Sequence, residues 1–273
     1  MKLKATQYEV RKQIATIILN RPHRLNAWTG RMHTEYRYLL EQANSAKDVR
    51  AIVITGAGDG FCVGADTKAL ESQVEKGAYD SGTSDSLIKP GQGVSADFDA
   101  SFAYHFGLSK PVVAAINGPA AGVGLVLACF ADIRFAVPGV KLTTAHGKLN
   151  FPAEYGLSWL LPRLIGLSHA NDLLLTSRIF MTEEAEKLGL VNRIVERNAL
   201  LKDTYSYVEK MIKTVSPGSL RETRWQIYKD LHRGVAGAVK ESEELIETMS
   251  RENDFKEGVK ALLAKRLPKW TAD

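Results

Sequence analysis

Twice in this chain a short, largely apolar run passes through a glycine-bearing bend into what reads as the start of a helix. Ala51–Thr55 leads through Gly56-Ala57-Gly58-Asp59-Gly60 to Phe61–Asp66, with helix from about Thr67. Val112–Ile116 leads through Asn117-Gly118-Pro119 and a small-residue loop into a buried helix reaching about Ala131. The β-branched residues of both runs favour buried strand. Around them, Tyr8–Val10 and Ile14–Leu19 read as two strands joined by a turn. Met32, Tyr36, Leu39, Leu40 and Ala43 recur at helical spacing, which predicts a helix from about Gly30 to Asn44. Helix is expected again near Ala96–Leu108, and strands near Ile133–Ala136 and Lys141–Thr144. Beyond Gly166 the chain reads as mainly helical, with Thr182-Glu183-Glu184-Ala185 opening a helix by its capping pattern. Strands alternating with helices, then a charged helical tail beyond Asn198, predict the α/β class with a C-terminal helical extension. The aperiodic Gly, Ser, Asp and Pro residues from Gly77 to Gly93 read as a mobile surface loop and a lid over a site.

Composition narrows the function classes. At 273 residues, with 45% hydrophobic and 25% charged residues, the chain has the make-up of a globular protein that can bury one large core, or one core plus a small appended piece. The longest apolar stretches, such as Gly122–Phe130, are too short to span a bilayer, so no membrane partner is expected. Met1–Ala5 has no apolar secretory region, and Trp270-Thr271-Ala272-Asp273 is not a peroxisomal address, so a cytoplasmic location is expected. Two cysteines, Cys62 and Cys129, fit a reducing compartment better than a disulfide scaffold. A net charge of +5 points to an anionic partner. No dense basic run with interleaved aromatics occurs, so a phosphate-bearing small molecule is expected rather than nucleic acid. The histidines show no metal-ligand spacing, so no metal is expected.

The two bends carry the chemistry. A strand-to-helix junction leaves backbone N–H groups free to hold an anion. Two such junctions could aim two donors at one oxygen, each worth roughly 3–4 kcal/mol to a developing oxyanion. Taken singly, each segment also describes a tight connection: Asp66 capping its helix, or an Ala/Gly helix packed on a sheet. A dinucleotide fingerprint is excluded, because Gly56-x-Gly58-x-Gly60 puts its third glycine one residue early.

Five segments in order resemble the crotonase (enoyl-CoA hydratase/isomerase) family: Leu19-Asn20-Arg21-Pro22 with Leu25-Asn26-Ala27; Phe61 with Gly64-Ala65-Asp66; Lys110-Pro111-Val112 through Asn117-Gly118 to Gly122-Val123-Gly124 and Asp132; Thr182–Ala185 with Leu188–Asn192; and Glu257-Gly258 with Ala261–Arg266. The resemblance implies a crotonase-type ββα superhelix over residues 1–197 and a C-terminal helical trimerisation region over 198–273, assembled as a homotrimer or a dimer of trimers. It implies an acyl-CoA thioester substrate, no cofactor beyond the CoA of that substrate, and an oxyanion hole from the backbone N–H groups of Ala65 and Val123. It puts the cations Arg24 and Lys265 near the CoA phosphates, and Ala27, Val63, Gly64, Asp66, Thr67, Gly122 and His146 along the CoA and substrate channel.

The same resemblance bears on the base. Hydratases of the family handle water with two glutamates, and those positions match Val126 and His146 here. Eight residues past His146, Glu154 in Pro152-Ala153-Glu154-Tyr155-Gly156 matches the single catalytic glutamate of peroxisomal-type Δ3,Δ2-enoyl-CoA isomerases. It also matches the nucleophilic aspartate of 4-chlorobenzoyl-CoA dehalogenases, but Asp99 stands where those enzymes want a histidine. Apolar neighbours should desolvate Glu154 and raise its pKa, which suits a general base. Arg163 is the alternative, as an ion-pair partner. The expected activity is Δ3-to-Δ2 double-bond isomerisation. The alternatives are hydration of a 2-enoyl-CoA by Glu154 with His146, and a non-catalytic acyl-CoA-binding chain. Tyr104 and His105 are expected to wall the acyl pocket.

Overall fold

A computed structural model describes residues 1–77 and 90–271, so most of the loop expected over 77–93 lies outside the described residues. β1 (Thr6–Arg11) and β2 (Ile14–Leu19) form an antiparallel hairpin, followed by α1 (Gly30–Ser45) and β3 (Ala51–Gly56). Then come α2 (Thr67–Lys76), α3 (Tyr104–Gly107), β4 (Val112–Ile116), β5 (Ala120–Ala121), α4 (Val123–Cys129), β6 (Ile133–Ala136) and β7 (Lys141–Thr143). After these, α5 (Leu157–Ile165), α6 (Leu167–Thr176), β8 (Phe180–Met181), α7 (Thr182–Lys187) and β9 (Arg193–Ile194) complete the mixed part. Four helices close the chain: α8 (Leu200–Thr214), α9 (Pro217–Asp230), α10 (Val235–Met249) and α11 (Asn253–Leu263).

The main sheet has the order β1-β2-β3-β4-β6-β9, parallel throughout except for the first hairpin. β4 is buried along its whole length and β3 everywhere but its last residue, as strands covered on both faces must be. A second, smaller sheet runs β5-β7-β8. Two isolated parallel bridges, Trp28↔Ala65 and Cys62↔Ala120, extend this layer toward the N-terminal loop. The chain therefore alternates between two sheet layers, and the two bends described above are the crossings from the first layer to the second. Among the described residues, no helix is long and apolar enough to cross a membrane.

Two asparagines fix these crossings. Asn26, fully buried, donates to the carbonyls of Ala57 and Gly60 and accepts from the Arg21 N–H. Asn117 accepts from the Gly56 N–H and donates to Gly58 and Gly60. The bend after β3 turns too tightly to pair with itself, and these side chains satisfy its backbone instead. Asp66 caps α2 as the sequence predicts, accepting from the Lys68 N–H at 3.0 Å.

Two expectations need correction. The helix expected over Ala96–Leu108 is broken into a 3-10 turn at Ala96–Phe98 and the short α3, with Phe102 between them at φ 62°. The buried Phe102 ring lies against Trp28, His33 and Tyr155, and this packing overrides helical continuity. α7 does begin at Thr182, but the Thr182 side chain does not cap it. Its hydroxyl donates to the Val137 carbonyl and accepts from the Val140 N–H, tying α7 to the β6–β7 turn.

Candidate active site

The bridge Cys62↔Ala120 sets the register of the two crossings. The Cys62 N–H donates to Pro119 at 3.1 Å and the Ala121 N–H donates to Cys62 at 3.0 Å. Ala65 and Val123 each stand three residues beyond the bridged pair. Each is preceded by a glycine with positive φ: Gly64 at 96°, and Gly122 at φ 48° and ψ −124°. A side chain at either position would be strained, and the glycine turns the following peptide out of its ladder. The two glycines nearly touch, since a Cβ on Gly122 would lie 3.8 Å from Gly64 Cα.

The result is a pair of unpaired donors. Trp28 exchanges bonds with the Gly64 carbonyl and the Asp66 N–H, which leaves the Ala65 N–H facing away from that bridge. Val123 is the first residue of α4, where an N–H has no partner one turn back. Among the described residues neither N–H has a hydrogen-bond acceptor.

Glu154 meets this pair. It begins a 3-10 turn that enters α5 through Tyr155 (φ 48°) and Gly156 (φ 78°), a double left-handed kink that stops α5 from extending back over the site. Its Oε2 lies 3.2 Å from where a Gly122 Cβ would stand. No described side chain or N–H bonds its carboxylate, and burial pushes its pKa above the usual carboxylate range. Arg163 is not its partner: the guanidinium lies 4.0 Å over the Trp159 ring and donates to the Trp159 carbonyl. Two free amides and a desolvated, unpaired carboxylate can together hold a carbonyl oxygen as it gains charge and move a proton on the adjoining carbons.

The other residues singled out divide into groups. At the rim, Ala65 and Thr67 are exposed and Val63 is half-buried. Arg24 Nη2 lies 3.2 Å from Thr67 Oγ1 and 3.5 Å from Asp66 Oδ1. Sequence reasoning passed over Arg21, which makes the shorter ion pair with Asp66 (2.8 Å) and donates to the Ala27 carbonyl. Burial would raise the Asp66 pKa, but Arg21, the Lys68 N–H and Arg24 outweigh it and hold the carboxyl below its usual range. Lys265 stands apart, exposed at the end of α11, and no hydrogen bond or ion pair among the described residues joins it to the Arg24 loop.

Inside, Val126 is fully buried on α4. His146 is buried with its Nδ1 unpartnered, just beyond Thr144, whose carbonyl lies 4.0 Å from the Gly122 Cβ position. Tyr104 and His105 are not among the residues lining the cavity bounded by Phe106, Phe130 and Trp159. Both are buried, and His105 is fixed between the Tyr36 hydroxyl (2.7 Å) and the Phe102 carbonyl (2.6 Å). Phe98 and Phe106 line that cavity. Cys62 and Cys129 are free thiols whose pKa burial pushes up to about 12, which leaves them poor nucleophiles. No group of three or more His, Cys, Asp or Glu among the described residues could hold a metal ion.

Known proteins resemble this chain over nearly its whole length. Residues 9–273 match the family model described as enoyl-CoA hydratase/isomerase. A probable enoyl-CoA hydratase of Mycobacterium tuberculosis is 35% identical, over 96% of this chain and 91% of its own length. The 1,2-epoxyphenylacetyl-CoA isomerase of Escherichia coli is 31% identical over 96% of both chains. Among solved structures, a probable enoyl-CoA hydratase/isomerase from Mycobacterium abscessus superposes with a TM-score of 0.85 at 25% identity, covering 98% of this chain and 99% of that one.

Proposed function

Since the chain belongs to the enoyl-CoA hydratase/isomerase family, we propose that it converts a 3-enoyl-CoA thioester to the 2-enoyl isomer with Glu154 as its only base. The observation that carries the reading is the Glu154 carboxylate beside Gly122, with the apolar Val126 on the neighbouring helix.

In this mechanism the thioester oxygen accepts hydrogen bonds from the Ala65 and Val123 N–H groups. Glu154 removes a C2 proton, and the electron pair delocalises over a dienolate whose negative oxygen the two amides hold. The protonated Glu154 then returns the proton at C4, leaving the double bond between C2 and C3. No atom is gained or lost, and CoA leaves as part of the product, so the reading needs no further cofactor. Two donors at about 3 kcal/mol each lower the barrier by about 6 kcal/mol, roughly four orders of magnitude in rate. Gly64 and Gly122 aim the donors, while Ala27, Val63, Asp66 and Thr67 border the CoA arm. Arg24 and, at the end of α11, Lys265 would meet its phosphates. The exposed apolar residues of α10 and α11, among them Ile246, Phe255 and Leu262, support a homo-oligomer built through the C-terminal helices. The isomerase activity in the name of the Escherichia coli relative supports an isomerisation of an acyl-CoA.

Hydration is the second reading. It is favoured by the unpartnered Nδ1 of His146 close to the cradle, and by relatives named as hydratases. The test is turnover of 3-hexenoyl-CoA against 2-butenoyl-CoA. Isomerisation of the first, lost in Glu154→Gln, is the expected outcome. Hydration of the second as the sole activity would overturn it, and binding without turnover of either would mark a non-catalytic chain.

A further inference from the structure

The end of α1, the approach to β4 and the first turn of α9 border a cavity of about 350 Å³, within the range of small-molecule sites. Arg50 and Lys110 line it just before β3 and β4, at the amino ends of the strands whose carboxyl ends lead into the two bends. The six residues of β3 put those two edges of the sheet roughly 20 Å apart. Four cations line the cavity, Lys47, Arg50, Lys110 and Arg221, and no carboxylate among the described residues does. Pro217, at the first position of the 14-residue α9, forms part of the wall, so the positive end of that helix adds to the charge.

Arg50 is only 8% exposed, yet a single nitrogen of its guanidinium is bonded. Nη2 donates to the Val215 carbonyl at 3.2 Å and the Ile212 carbonyl at 3.4 Å. Nε and Nη1 have no acceptor among the described residues, and neither is sealed from the cavity that Arg50 lines. Lys110 gives two of its three N–H groups to the carbonyls of Ala43 and Ala46 and keeps the third. Lys47 is exposed and pairs with nothing among the described residues. Carboxylates act from outside the lining: Glu222 takes Arg221 Nε at 2.7 Å, Asp48 attracts Lys110 and Asp254 attracts Arg50. Burial, with Asp48 opposing it and Arg50 adding repulsion, brings the Lys110 pKa down to about 8. Cations gathered in a partly buried space repel one another until an anion joins them.

We propose that this cavity binds a phosphate dianion, either inorganic phosphate or the phosphate group of a small monoester, at a site separate from the CoA channel. The unused N–H groups of Arg50 and Lys110 can make charge-assisted bonds to its oxygens, and Lys47 and Arg221 complete the charge that a dianion needs. The inference stands apart from the reaction proposed above, since neither Ala65, Val123, Glu154 nor Arg24 lines this cavity.

The test is calorimetric titration of the full chain with inorganic phosphate and, separately, with glycerol 3-phosphate, in about 150 mM sodium chloride to screen loose surface binding. One site with a Kd below about 1 mM is expected. Arg50→Gln should weaken it by about tenfold or more, and Lys47→Gln by about threefold. Should Arg50→Gln not fold, the double variant Lys47→Gln with Arg221→Gln should show the same loss of about tenfold. Arg24→Gln separates this site from the CoA channel and should leave the affinity within about twofold of wild type. Equal affinity for the two probes supports the site with free phosphate as its ligand, and tighter binding of glycerol 3-phosphate supports it with an organic phosphate. Three results overturn the proposal: no binding at about 10 mM of either probe, unchanged affinity in folded Arg50→Gln or in the double variant, or loss of binding in Arg24→Gln.

Discussion

Replacing Gly122 with alanine tests the amide pair through its backbone. At φ 48° and ψ −124° an L-residue is strained, which costs about 1–3 kcal/mol if the backbone holds its shape. The added methyl would lie 3.2 Å from Glu154 Oε2, a contact that the end of a flexible side chain relieves by moving a few tenths of an ångström. The larger consequence follows if the backbone yields instead. Relaxing Gly122 turns the next peptide, and the Val123 N–H swings out of the cradle. Loss of one such donor lowers kcat by about 10²–10³. The expected result is therefore a fall of that size in isomerisation of 3-hexenoyl-CoA. It should be accompanied by a drop in melting temperature of about 3–10 °C, read by circular dichroism. Gly139→Ala is the control: it has a similar positive φ of 68°, with nothing within 4 Å of the new methyl. It should lower the melting temperature and leave kcat unchanged. If Gly122→Ala keeps kcat within threefold of wild type, the backbone of Val123 is not a donor to the reaction.

Four further outcomes are expected. Because burial raises the Glu154 pKa, kcat should fall with decreasing pH at a midpoint above that of an ordinary glutamate. A raised carboxyl pKa favours the folded state when protonated, and that contribution is lost as pH rises through the folded pKa. Glu154→Gln should therefore melt higher than wild type at pH 7, with the gap closing in acid. Asp66 has the opposite sign: its depressed pKa stabilises the fold above the unfolded value near 3.9 and ceases to do so as pH falls through the folded one. Asp66→Ala, which removes the α2 cap and the Arg21 pair, should lower stability at pH 7 by about 2 kcal/mol in urea titrations. Arg224→Met should cost about 3–5 kcal/mol by the same measure, since it leaves Asp132 and the carbonyls of His105, Phe106 and Leu108 without the guanidinium that joins α9 to α3.

Much of the fold was legible because its signals are local. The β-branched run before each bend, the glycines within them and the 3.6-residue spacing of α1 each act over a few neighbours. What failed depended on distant partners. Ala96–Leu108 reads as a helix until the Phe102 ring is seen among Trp28, His33 and Tyr155. Arg163 reads as a partner for Glu154 until Trp159, four residues earlier on the same helix, takes it. Arg21 gave no sign of its pairing, because its carboxylate lies 45 positions away across the layer crossing. Glu154 itself was reached only through likeness to a family: a lone carboxylate in a loop has no periodicity to betray that it will sit against Gly122.

The bridge between Cys62 and Ala120 has a consequence for how such a cradle can change. Ala65 and Val123 would act through main-chain N–H groups, so the side chains at 65 and 123 are free to vary. Length is a different matter. One residue inserted between Cys62 and Ala65 would slide a single amide by about 3.3 Å along its run and open the pair. The pair therefore tolerates substitution but not slippage.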